Sequence, residues 1–206
     1  MTWLAYLDYA SVFVFALTGA LVASRAQLDI VGFIFVACLT AVGGGTVRDV
    51  LLARPVFWME EPTYILVASI AAFEVFFTSH LMKSRYRWIL WIDAFALAVA
   101  VPAGVAAAVS MQATWPIVLI MGVSTGCFGG LMRDVVCNEV PLVLKQGELY
   151  VTCAFTGAGA AVILLALGQP LSIALLGCAV VTLALRTGSL AFGWKLPVYK
   201  GRPPRV

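Results

Sequence analysis

Apolar residues run along the chain in seven blocks, near 4–24, 29–53, 63–82, 88–110, 115–137, 149–168 and 170–193, separated by short polar seams. Arg25-Ala26-Gln27 closes the first block, and Arg54-Pro55 with Glu60-Glu61-Pro62 marks the second seam. Lys83-Ser84-Arg85-Tyr86-Arg87 is the most basic seam; Gln112 to Pro116, Glu139 to Glu148 and Gly168-Gln169-Pro170 make up the rest. Each block has the length of a bilayer span, about 20 residues. In hydrocarbon a helix satisfies its backbone groups internally, whereas strands must close into a barrel, and these blocks are too long and too evenly apolar for barrel strands. The pattern predicts an all-α integral membrane protein of seven transmembrane helices.

Composition agrees. Of 206 residues, 63% are hydrophobic and only 11% charged, and the mean hydropathy is +1.02, against about one quarter charged in a soluble domain. Seven spans use up the length, which excludes a sizeable soluble domain. No Lys or Arg precedes the first apolar run and Asp8 interrupts it, so it reads as a retained helix and not a cleaved signal peptide.

Basic residues set the orientation. Arg54 stands alone on the face that holds the N-terminus, whereas Arg25, Lys83, Arg85, Arg87, Lys145, Lys195, Lys200, Arg202 and Arg205 collect on the other. The N-terminus is therefore expected outside and the C-terminus in the cytoplasm. Cys38, Cys127, Cys137, Cys153 and Cys178 show no paired spacing and read as small core residues. His80 is the only histidine, with no second ligand type beside it, so no metal site beyond a permeating cation and no cofactor is expected.

A repeat runs through the chain. Gly44-Gly45-Thr46-Val47-Arg48-Asp49 returns 85 residues later as Gly129-Gly130-Leu131-Met132-Arg133-Asp134, and the same offset pairs Gly19 with Gly104 and Asp8 with Asp93. Each copy spans three helices, so the second must enter the membrane from the opposite side: an inverted three-plus-three repeat, with equivalent sites near the midplane. Expected boundaries are 1–87 and 88–168 for the two repeats, 169–194 for a seventh helix and 195–206 for a basic cytoplasmic tail.

A buried charge in a membrane helix is costly and marks a cavity, a partner or a pathway. Consecutive glycines weaken a helix by about 1 kcal/mol each, so Gly43-Gly44-Gly45 invites a kink or an unwound turn with free carbonyls; close helix packing is the other reading. Neighbouring residues point about 100° apart on a helix, so the pairs expected are Arg48 with Asp134 and Arg133 with Asp49, either as a clamp between the halves or as the border of a gated path. Asp8 and Asp93 read as helix-start residues that complement the dipole or as a charged vestibule. Glu74 has no repeat partner. Arg186 is expected to snorkel to the cytoplasmic interface or to bind lipid headgroups. Trp3, Trp58, Trp88, Trp91, Trp115 and Trp194 fall near span ends, as interfacial anchors do, and the tail is expected to be drawn to anionic lipid.

Two copies of Gly-Gly-x-x-Arg-Asp, the inverted repeat and one extra helix resemble the trimeric intracellular cation (TRIC) channels, above all their prokaryotic members, whose sequence domain has also been labelled a glycine transporter. The resemblance covers the chain up to its tail. It implies a homotrimer in a prokaryotic inner or plasma membrane, each protomer with its own pore for monovalent cations, chiefly potassium, and second and fifth helices kinked at the constriction. Carried over by position, the pore residues are Gly44, Gly45, Arg48, Asp49, Gly129, Gly130, Arg133 and Asp134, with Gly43 extending the first glycine run. Where the first copy has Gly43 the second has Phe128, so the two kinks are expected to differ and Phe128 to be able to occlude one side. The expected partners are potassium or sodium ions, membrane lipids and further copies of the chain, not nucleic acid. A secondary transporter of a small zwitterion such as glycine is the competing reading, with arginine on the carboxylate and aspartate on the ammonium. No phosphate-binding Gly-x-x-x-x-Gly-Lys run is present to support pumping. No nucleophile with a base, and no His-Glu-x-x-His, suggests an intramembrane enzyme.

Overall fold

A computed structural model describes residues 3–81, 84–146 and 149–197, with side chains from Ala5 onward. Lys83, Lys200, Arg202, Arg205 and the Trp3 side chain, all invoked above, lie outside that description. Seven long helices follow one another: α1 (Trp3–Arg25), α2 (Ile30–Leu51), α3 (Thr63–Thr78), α4 (Arg85–Ser110), α5 (Trp115–Val136), α6 (Tyr150–Ala166) and α7 (Leu171–Phe192). Among the described residues six spans are long and apolar enough to cross a membrane, α3 counting together with the 3-10 turn Ser79–Leu81 that continues it; α6, at 17 residues, is a shorter apolar helix. A single helical turn, Phe57–Glu60, sits between α2 and α3.

The 85-residue offset is written into the backbone. Gln27 and Gln112 take positive φ just after α1 and α4, and Ala53 and Asn138 do the same just after α2 and α5. The two units also run in opposite directions. Arg85, at the start of α4, donates from Nη1 to the Ser24 carbonyl at the end of α1, at 3.0 Å. Arg25 meets Glu139 beyond α5 at 3.4 Å, and Lys145 Nζ donates to Tyr86 Oη. The end of α1, the start of α4 and the end of α5 therefore share one face.

α4 forms the centre, packed against α1, α5, α7 and α6. Its alanines (Ala94, Ala96, Ala98, Ala100, Ala103 and Ala106–Ala108) are buried on every side, because small side chains let backbones approach where lipid offers no hydrophobic drive. α3 lies outside, with Leu66, Ile70, Phe73 and Phe77 exposed along one stripe and Glu74 exposed among them.

One expectation is overturned. α2 and α5 remain helical through Gly43–Gly45 and Gly129–Gly130, so no turn is unwound and no carbonyl set free there. A backbone group left unpaired in hydrocarbon costs several kcal/mol, more than the weak helix propensity of glycine.

Candidate functional site

Two buried arginines organise the site. In the first repeat, Arg48 Nε donates to Asp49 Oδ1 at 2.7 Å and Nη2 to Asp49 Oδ2 at 3.3 Å, while Nη1 reaches Asp8 Oδ1 on α1 at 2.8 Å. Asp49 Oδ2 also accepts the Phe57 backbone N–H at 3.0 Å. In the second repeat, Arg133 Nε donates to Asp134 Oδ1 at 2.7 Å and Nη1 to Asp93 Oδ1 on α4 at 3.0 Å, while the Leu142 N–H meets Asp134 Oδ2 at 2.9 Å. Leu142 stands 85 residues after Phe57, so the repeat extends to a backbone donor in the loop. Arg48, Asp49, Asp93 and Arg133 have no solvent exposure. Each arginine is thus a clasp between two helices of one repeat, its charge matched by two carboxylates with hydrogen bonds of good geometry.

This corrects the expected pairing of Arg48 with Asp134 and Arg133 with Asp49. The 100° between adjacent residues constrains short side chains; the arginine stem is long enough to lay its guanidinium edge along the neighbouring carboxylate. Asp8 and Asp93 are also corrected. They lie beyond the first turns of α1 and α4 and, buried, hold the arginines 40 residues further on. Arg186 does not snorkel: it is fully buried, its guanidinium 4.9 Å over the Tyr150 ring.

The glycines set how closely α2 and α5 cross. A Cβ on Gly44 would lie 2.2 Å from the Thr125 carbonyl oxygen, and one on Gly129 would lie 2.4 Å from that of Thr40. Thr40 and Thr125 are themselves 85 apart, so the two contacts are mates about a pseudo-two-fold axis through the crossing. Their hydroxyls donate to the carbonyls of Val36 and Met121, both at 2.6 Å. Neither threonine was expected at the site, although the shared offset marks them. Gly45 makes room for the Phe57 ring, and Gly130 faces Tyr150, Arg133 and Asp93. Gly43 is looser, with the flexible Met132 sulfur beside it. Phe128 lines an apolar groove with Ile120, Val123, Ser124 and Phe155 of α6 and does not plug the crossing.

The family described as glycine transporter matches the chain twice, over residues 5–80 and 90–166, with starts 85 apart. The chain belongs to this family. A UPF0126 membrane protein of Vibrio cholerae is 40% identical over 201 residues, covering 96% of this chain and 84% of that one. The UPF0126 inner membrane protein YadS of Escherichia coli is 36% identical over 197 residues, 94% and 95% of the two chains. Among solved structures, the TRIC trimeric intracellular cation channel orthologue from Rhodobacter sphaeroides superposes with a TM-score of 0.90 at 42% identity, over 94% of this chain and all of that one. The resemblance carried by the doubled motif to prokaryotic TRIC channels therefore holds over 94% of this chain.

Proposed function

We propose that this membrane protein is a passive, potassium-permeable channel for monovalent cations, acting as a homotrimer in a prokaryotic inner membrane, N-terminus outside, with one pore in each protomer. The observation that carries the reading is its likeness to the Rhodobacter sphaeroides channel orthologue, at 42% identity and a TM-score of 0.90. In this reading Gly43, Gly44, Gly45, Arg48 and Asp49, with Gly129, Gly130, Arg133 and Asp134, surround the constriction, and the arrangement described above is its closed form. Backbone lies against backbone at the Gly44–Thr125 and Gly129–Thr40 contacts, so conduction requires α2 and α5 to part or bend at those glycines. The arginine clasps hold each helix to its own repeat while they do so. A parted crossing would present the Thr40 and Thr125 carbonyls and hydroxyls, oxygen ligands of the kind that replace water around a cation.

The description of the family favours the second reading, secondary transport of glycine. Against it, both guanidinium groups are already engaged by two carboxylates each, which leaves a substrate carboxylate to compete with them. The two readings separate in a planar bilayer holding the purified protein under asymmetric potassium chloride. Discrete openings that reverse near the potassium potential support the channel. Silence there, with saturable and gradient-coupled glycine uptake into vesicles, contradicts it.

A further inference from the structure

The two triads match in every member, but their surroundings differ in sign. Asp8, Arg48 and Asp49, like Asp93, Arg133 and Asp134, set two carboxylates against one guanidinium, leaving each buried cluster one negative charge in excess. In the first, Arg54 Nε lies 3.5 Å from Asp49 Oδ1, its side chain 21% exposed. A loop cation, open to solvent, completes that cluster. The residue 85 positions on is Glu139, of opposite sign and engaged by Arg25. The second cluster is thus denied the cation its twin has, although Asp93 and Arg133 are fully buried. An uncompensated charge in that setting is strongly unfavourable.

A cation stands nearby on a helix that neither repeat contains. Arg186 of α7 is fully buried, with its guanidinium 4.9 Å over the Tyr150 ring. The Tyr150 hydroxyl and Asp93 Oδ1 converge on Gly130, 3.6 and 3.7 Å from where its Cβ would be. Asp93 Oδ2 is buried and accepts no hydrogen bond among the described residues.

We propose that Arg186 is the tethered counter-charge of the second triad, doing for Asp93 from α7 what Arg54 does for Asp49 from its own loop. The seventh helix is then an electrostatic part of the second half and not a packing addition to it. A further consequence rests on the channel reading: a fixed buried cation on one side of the crossing, and a solvated one on the other, make the two mouths unequal and the current rectify.

The test compares melting of the purified full chain in detergent, in potassium chloride and in choline chloride of equal strength, for the wild type, Arg186→Lys, Arg186→Gln, Asp93→Asn and the double variant Arg186→Gln/Asp93→Asn. Arg186→Gln is expected to melt lower, and to regain part of the loss in potassium over choline as a small cation takes the vacated role. Arg186→Lys should stay near wild type and show no preference between salts. The double variant should melt above Arg186→Gln alone. If Arg186→Gln does not fold, a folded double variant carries the same support. A double variant no better than the single overturns the assignment. In bilayers, Arg186→Gln should change the ratio of currents at opposite voltages. The melting result stands whether or not the protein conducts, so silence of the wild type would count against the channel reading alone.

Discussion

At the scale of single residues, the molecule invests its few intramembrane charges in two clasps. Removing one partner of a buried ion pair strands the other, at a cost of about 3–5 kcal/mol. Arg48→Gln and Arg133→Gln are therefore expected to lose about that much stability, read as melting in detergent. A double-mutant cycle gives the sharper check: Arg48 should couple to Asp8, and Arg48 and Asp134 should act additively. Coupling between Arg48 and Asp134 would mean that the clasps join the two halves after all. The doubled charges were legible in the sequence as a repeat, and so were the two aspartates 40 residues upstream. Their partnership was not, because it depends on how α1 lies against α2, and α4 against α5, and on a side chain long enough to fold back on its neighbour. Arg186 escaped for another reason: it lies outside the repeat, so no offset points to it.

At the scale of elements, the α2–α5 crossing has no space for a methyl group at two places, Gly44 and Gly129, and at Gly43 only the space that a flexible methionine can yield. Gly44→Ala and Gly129→Ala each drive a Cβ into a backbone carbonyl, and both should lower the melting temperature and alter conduction. Gly43→Ala presses on the flexible end of Met132 and otherwise meets Gly129 Cα at an ordinary 3.7 Å, and Gly159→Ala meets nothing within 4 Å; both should melt near wild type. If all four behave alike, the crossing is not set by glycine. Hydropathy placed the seven helices to within a few residues. One miss is the start of α4, expected at 88 and found at Arg85, where the guanidinium bonds the carbonyls of Ser79 and Ser24 and so draws a charged residue into the helix. The expected unwinding at the glycine runs failed because propensity, a property of chains in water, is outweighed in hydrocarbon by the need to keep every backbone pair.

At the scale of the whole molecule, two oppositely directed three-helix units pack through α1 against α4 and through the α2–α5 crossing, each locked internally by an arginine, with glycine-to-carbonyl contact at the crossing. Inverted repeats of this kind place equivalent elements on either side of the midplane, and here the equivalence reaches helix ends, clasps and crossing alike. The inversion was legible from parity, since three spans per copy require it. The closeness of the crossing was not, because it depends on which faces of α2 and α5 meet. Under the proposed channel function that crossing is the gate of a cation path. Gly43 and Met132 lie across it, with Met132 Sδ 2.9 Å from the Cβ position of Gly43, so thiols placed at the two positions can be joined by a short bifunctional thiol reagent. The direct test is therefore single-channel recording of a Gly43→Cys/Met132→Cys variant in asymmetric potassium chloride. Potassium currents that vanish on cross-linking with a short bifunctional methanethiosulfonate and return with a reducing agent are the predicted result. Unchanged conduction through the cross-linked protein would contradict the account.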